Sequence, residues 1–400
     1  MEELLYVNLI NEVEDAELDE MELDPRHAND IRDPFVELTD RSFQTIFRLS
    51  KELCLFVITL LEPLMRPRMK PTDLDIRVRV LIAIRFFASG SYQMDVGSNI
   101  FLNVSQSSVS RCIKEVVNGL NHPNIFNEFV KFPGNLRDLD TLRRMFYEQY
   151  NFPGIIGCID CTHIAIFPPR VEDPEYPEHL YLNRKGYHSI NVQLVCDSNM
   201  KIININARYP GSTNDAFIWN NSNLQRSLRN LHAAGNSDYY LLGDSGYPLR
   251  SWLMTPIEEE PAPHSPEFRY NASHKMIRSI IERCNGVLKM RWRCLLKHRV
   301  LHYAPDHACK IINACAVLHN LCIDHHLEEP LLQDEDFNYG NIYIEDLGFN
   351  WLCKIGYILE NLDNFNQEDG PIVAGAQRIN PELAEGRRVR TRLIRNVFNQ

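Results

Sequence analysis

The sequence predicts an α/β protein, a mixed β-sheet flanked by helices and preceded by an all-helical segment. Three observations carry that prediction. Apolar residues recur at helical spacing from Arg41 to about Asn121, β-rich runs take over from Pro153, and helical spacing returns beyond the Pro-rich stretch 255–268. Hydrophobic residues make up 44% of the chain and charged ones 24%, so these patterns belong to a chain that can bury a sizeable core.

Residues 1–40 form an acidic segment with few aromatic residues, which is expected to be disordered or loosely helical. Residues 41–152 read as a helical domain. Phe43, Ile46, Phe47, Leu53, Phe56, Val57, Leu60 and Leu61 mark one long amphipathic helix, broken by Pro63, Pro67 and Pro71. Thr72 is placed to cap a second helix reaching about Ser89. Residues 91–120 hold a helix-turn-helix candidate. Ser105 is a good N-cap, and Val109, Cys112, Ile113, Val116, Val117 and Leu120 form an inward stripe. The outward face carries Gln106, Ser107, Ser110, Arg111 and Lys114. Short polar residues followed by bases are what a recognition helix presents to base edges and phosphates, although an ordinary bundle helix can look the same.

Residues 153–327 hold the sheet. GIIGCIDCTHIAIF (154–167), HSINVQLVCD (188–197) and KIININARY (201–209) are strands, the last two joined as a hairpin near 198–200. Asp215 to about Leu228 reads as a helix and YYLLGD (239–244) as a fourth strand. Helices follow from His274 to about Trp292 and from about His307 to His325. Three strands, a helix, a strand and then helices is the order of a ribonuclease H-like fold. Residues 328–400 read as an acidic, then basic, C-terminal tail.

The net charge of −11 is unevenly spread. Residues 1–40 carry −12, residues 321–370 carry −11 and the last thirty carry +4, which leaves +8 on residues 41–320. That middle can attract a polyanion. The terminal Arg387, Arg388, Arg390, Arg392 and Arg395 suit nuclear targeting, phosphate binding or pairing with the acidic segment before them. No apolar run reaches the roughly 18 residues of a membrane span. Met1 to Asp15 carries acids where a secretory or mitochondrial signal has bases, so a nuclear or cytoplasmic address is expected. Eleven scattered cysteines read as buried thiols.

Four acids stand where strands and one helix can gather them. Asp160 lies inside an apolar strand, where an unpaired carboxylate is costly. Asp244 ends the fourth strand, and Asp215 follows the turn PGSTN, where it also suits the first turn of a helix. Glu282 sits mid-helix on a face with Lys275, Arg278, Ser279, Asn285 and Lys289, while Ile277, Ile280, Ile281, Cys284, Val287 and Leu288 face inward. Convergent carboxylates of this kind hold the Mg²⁺ or Mn²⁺ pair that cleaves phosphodiesters. A rival zinc half-site, Cys158-x-x-Cys161 with His163, is disfavoured because strand alternation points the two thiols apart. YLNRKGYHS (181–189) interleaves Arg184, Lys185 and His188 with tyrosines, a composition suited to a DNA backbone.

The blocks GCIDCTHIAI (157–166), NRKGYHSINVQLVCD (183–197), PGSTNDAFIW (210–219), GDSGYP (243–248) and ERCNGVLKMRW (282–292) together resemble the PIF/Harbinger-type DDE transposases over roughly residues 40–395. VLHNLC (317–322) and GRRVRTRL (386–393) add to the likeness. The resemblance implies a metal-dependent nuclease with Asp160, Asp244 and Glu282 as catalytic acids and Asp215 as a further metal ligand. It implies Mg²⁺ or Mn²⁺ as cofactor, DNA as substrate and a separate Myb-like DNA-binding partner protein, and it leaves room for an oligomer. Cys161 and Asn214 depart from the family pattern, which has Gly and often His there; neither departure removes a carboxylate. The competing expectation is a domesticated DNA-binding or partner-docking protein that does not cut.

Overall fold

The computed structural model describes residues 32–71, 73–329 and 380–399. The expectations for the acidic residues 1–31, for Thr72 as a cap and for the acidic stretch 330–379 lie outside the described residues.

The first expected helix is two. Helix α1 (Asp40–Phe47) stops where Arg48 takes the left-handed conformation, φ 60°, and α2 (Lys51–Leu61) restarts under Ser50, whose Oγ accepts from the Leu53 amide at 3.1 Å. Apolar spacing alone does not register such a break, because Phe43 and Phe47 of α1 and Leu53 and Val57 of α2 enter one core. Helix α3 (Ile76–Ser89) is capped by Asp75 and closed by left-handed Gly90. A short α4 (Gln93–Gly97) precedes α5 (Gln106–Leu120), capped by Ser105 as expected and burying every residue of the anticipated inward stripe. Then come α6 (Pro123–Phe129) and α7 (Leu136–Tyr150).

Strands β1 (Ile155–Ala165), β2 (Ser189–Cys196), β3 (Ile202–Pro210), β4 (Tyr240–Leu242) and β5 (Leu253–Met254) form one mixed sheet in the order β3-β2-β1-β4-β5. The first three run antiparallel, and β4 and β5 run parallel to β1. The expected hairpin between β2 and β3 is closed by Asp197, whose Oδ1 accepts from the Asn199 and Lys201 amides at 2.8 and 2.9 Å. Strand β5 is too short for a two-residue alternation to reveal it in the sequence. The helix expected from Asp215 is divided into α8 (Asp215–Asn220) and α9 (Asn223–Ala233) by the cap Ser222. Helix α10 (Pro266–Arg291) begins at Pro266 rather than near His274, because Ser265 caps it and proline is tolerated in its first turn. Helix α11 spans Pro305–Asp324.

Each face of the sheet has its own core. On one, Cys158, Ile164, Val192, Leu194 and Leu242 pack with Ile277, Ile281 and Cys284 of α10 and with α11, in a cluster continuous with Val80 of α3 and Val116 of α5. On the other, Ile156, Ile159, Val195 and Leu241 meet Trp219, Leu224 and Leu139. All ten cysteines of the described residues are free. Among those residues no helix is long and apolar enough to cross a membrane.

The basic C-terminal segment is a docked helix, α12 (Pro381–Val397). Val389, Leu393 and Ile394 are buried, Phe398 packs edge-on against Tyr270 of α10, and Arg390 donates to the Thr255 and Pro256 carbonyls at 3.2 and 2.9 Å. Three buried aliphatic side chains contribute roughly 5 kcal/mol. Deleting residues 380–400 should therefore lower the thermal midpoint by several degrees or make the protein insoluble. An unchanged melting curve would mean that α12 adds nothing to the fold.

Candidate active site

Strand β1 is buried at both ends but only half-buried from Asp160 to His163, so the sheet opens at its centre. Alternation sends Asp160 to the α10 face and Cys161 to the opposite one. The thiols accordingly part: Cys158 Sγ lies 3.6 Å from the Ile277 carbonyl of α10, and Cys161 Sγ 3.3 Å from the Tyr247 hydroxyl. Asp244 follows β4, the parallel neighbour of β1, and its Oδ1 accepts from the Gly246 amide at 2.9 Å. Glu282 comes from the middle of α10.

These three carboxylates meet at one side chain. Arg278, one helical turn before Glu282, pairs directly with the Glu282 carboxylate, and its guanidinium stands 3.8 Å from Asp160 and 3.6 Å from Asp244. The Asp160 carboxyl is pushed up to about 7, chiefly by burial, with Arg278 opposing the rise and Asp244, Glu282 and Asp215 adding to it. Burial acts against the charge on Arg278, but Asp160, Glu282 and Asp244 outweigh it and hold that charge more firmly than usual. Asn285 lies beside the group, its Nδ2 3.5 Å from Asp160 and its Oδ1 buried without a hydrogen-bond partner.

Asp215 stands in the first turn of α8 under the cap Asn214, and accepts from Asn191 Nδ2 at 3.0 Å. Asn191 is the register partner of His163, which places Asp215 beside the Cys161 and His163 side of β1. The turn leading there needs Gly211: a Cβ would lie 2.3 Å from Ser189 Oγ and 2.5 Å from the Tyr181 carbonyl. His163 is held neutral, at about 4, by burial, with Lys289, Lys185 and Arg184 adding to the effect against Asp215.

Of the remaining anticipated residues, Arg184 and Lys185 are exposed on the turn after Asn183, near enough to His163 to act on it, while His188 is engaged by Glu178. On α5, Lys114 is exposed and Gln106, Ser107 and Ser110 are half-buried. Arg111 folds back on its own helix, its Nε donating to the Ser107 carbonyl at 3.3 Å. The sequence reading placed Arg278 on the Glu282 face without assigning it a partner. The signal was its i, i+4 spacing to Glu282.

Among the described residues no three His, Cys, Asp or Glu side chains stand ready to hold a metal ion as they are now disposed. The donor set nevertheless fits a hard divalent cation: three carboxylates face one point, and a guanidinium stands in for positive charge there.

This core and acid set define a class, and residues 159–320 match the family model of the DDE superfamily endonucleases. The human protein named "Putative nuclease HARBI1" is 34% identical over 296 residues, covering 73% of this chain and 80% of that protein; its mouse counterpart is 35% identical over 295 residues with the same coverage. "Protein ALP1-like" of Arabidopsis thaliana is 26% identical over 321 residues, 75% of this chain and 76% of its own length. No solved structure matches. The chain belongs to the family of harbinger transposase-derived nucleases.

Helix α10 is seated one turn before Arg278 by His274, which is 1% exposed with its Nε2 3.2 Å from the Met254 carbonyl of β5. Burial lowers its pKa to about 4, whereas an unfolded histidine titrates near 6.5. Between those values the unfolded chain takes up the proton and the folded chain does not. The stability this group contributes is thus complete above pH 6.5 and is lost as pH falls toward 4, by up to about 3 kcal/mol. His274→Gln should flatten the decline of the thermal midpoint over that range; a slope equal to wild type would remove His274 as its cause.

Proposed function

We propose that the protein is a divalent-metal-dependent DNA endonuclease of transposase origin, with Asp160, Asp244 and Glu282 as its catalytic acids and Asp215 as an auxiliary metal ligand. The observation that carries this reading is the convergence of the three carboxylates on one guanidinium. Asp160 lies on β1, Asp244 just past its parallel neighbour β4 and Glu282 on the helix packed on that face, a placement that suits ligands of shared hard cations. Asp215 is oriented by Asn191 from the other side of β1, as suits a helper rather than a primary ligand. Asp160, Asp244 and Glu282, with Asp215 assisting, would hold the Mg²⁺ or Mn²⁺ pair of a two-metal scheme, which would supply Lewis acidity at the attacking and leaving oxygens. The carboxylates hold and orient; they do not attack.

We read residues 153–327 as the ribonuclease H-like nuclease domain, a reading supported by the sheet order β3-β2-β1-β4-β5, and residues 41–152 as the helical domain that brings DNA to it. Contact by α5 is supported by exposed Lys114, and contact by the 183–188 turn by exposed Arg184 and Lys185. A Myb-like partner for target choice, nuclear and cytoplasmic residence and self-association complete this reading.

Purified protein should nick supercoiled DNA with Mg²⁺ or Mn²⁺, and Asp160→Asn should bring nicking below detection. Asp244→Ala should be inert at any Mn²⁺ concentration, whereas Asp215→Ala should keep cutting about 10- to 100-fold weaker and recover with excess Mn²⁺. Equal nicking by wild type and Asp160→Asn would sink the assignment, and the reverse ranking of Asp244 and Asp215 would make Asp215 the middle acid. DNA binding without any cutting would favour the domesticated, non-cleaving alternative. Replacing Arg111 and Lys114 by Ala should weaken DNA binding and reduce its salt dependence by up to about two phosphate contacts. An unchanged slope would confine α5 to packing.

A further inference from the structure

Arg278 has an environment that a purely structural arginine does not need. Its guanidinium is surrounded by three carboxylates, yet only the Glu282 contact is a direct hydrogen bond. The approaches to Asp160 at 3.8 Å and Asp244 at 3.6 Å are ion pairs too long for one, and Arg278 Nε is buried with no partner. The group therefore sits at the centre of the charge rather than in the best geometry for any one acid. A single positive charge also leaves the three carboxylates, if all are ionised, two charges short of neutrality.

Arginine cannot relieve its charge by losing a proton. A divalent cation arriving among the same oxygens would face it at ion-pair distance and repel it. Arg278 is 17% exposed and carries its guanidinium on a long flexible stem, so a rotamer change can turn the guanidinium toward solvent while α10 and Glu282 stay in place.

We propose that Arg278 is a placeholder for the metal: it holds the three acids together in the metal-free protein and must leave its position for the cation to load. The proposal rests on the reading of Asp160, Asp244 and Glu282 as the metal ligands. Arg278 is then a positioning residue whose competition sets how much free metal the site requires, since only the fraction of molecules with the guanidinium displaced is competent to bind.

The test is Mn²⁺ binding to the full chain without DNA, read from the electron paramagnetic resonance signal of free Mn²⁺, for wild type, Arg278→Gln, Arg278→Lys and Asp160→Asn. Arg278→Gln should bind Mn²⁺ at least about tenfold more tightly than wild type. Arg278→Lys keeps the charge without the fork and should fall between them. In thermal melts the metal-free Arg278→Gln protein should be the less stable, and Mn²⁺ should raise its midpoint more than that of wild type. Should Arg278→Gln fail to fold, the Lys variant decides alone, tighter binding than wild type supporting the proposal and equal or weaker binding overturning it. Weaker Mn²⁺ binding by Asp160→Asn together with unchanged or weaker binding by Arg278→Gln overturns the placeholder and leaves the metal site standing. Mn²⁺ binding that is absent, or indifferent to Asp160→Asn, overturns both.

Discussion

Asp160 carries a carboxylate out of the middle of an eleven-residue strand, on the face where α10 and the main core lie. Burial there, with the neighbouring carboxylates adding to it, pushes its ionisation toward neutral pH. Neighbouring features can be understood as responses to that one group. The sheet loosens its burial from Asp160 to His163, Arg278 supplies positive charge from the helix above, and Asn285 offers an amide from two turns further along it. Substituting an aliphatic residue would ease the packing but remove the reason for the arrangement.

The second consequence concerns which acids meet. Asp244 reaches Asp160 because β4 runs beside β1 in parallel, and Glu282 because α10 covers the same face. Asp215 approaches from the other side, where Asn191, Cys161 and His163 form a separate polar neighbourhood. One strand thus presents two faces with different electrostatics: an acid cluster offset in part by an arginine, and a neutral histidine between Asp215 and basic residues. In the function proposed above, such a division would let the acids collect cations while the basic rim met phosphate oxygens.

Much of this was legible in the sequence. Periodicity located β1 to β3 and the inward stripe of α5, because each element is long enough to repeat its pattern. The breaks at Arg48 and Ser222 were hidden, since a cap or a left-handed residue can interrupt a helix without disturbing the spacing of apolar side chains. Two-residue β5 has no pattern to read. The acids themselves were recognisable from their motif blocks, and Asp160 from its apolar flanks. Their common partner was not: Arg278 looked like one of several polar residues on a helix face, and only tertiary structure turns it toward β1 and β4.

Helix α12 adds a temporal dimension. The helix that bears Glu282 and Arg278 spans residues 266–291, yet Tyr270 near its start is covered by Phe398 as well as by Phe152, with Leu393 and Ile394 in the same core. During synthesis α10 leaves the ribosome long before those residues exist, and its N-terminal half waits with an aromatic surface uncovered. The start of the acid-bearing helix gains its last apolar cover only when the stretch around 381–398 has followed. Completion of that cover is thereby tied to translation of the far downstream sequence, and a chain stalled before that point would carry all four acids with the start of α10 less fully packed.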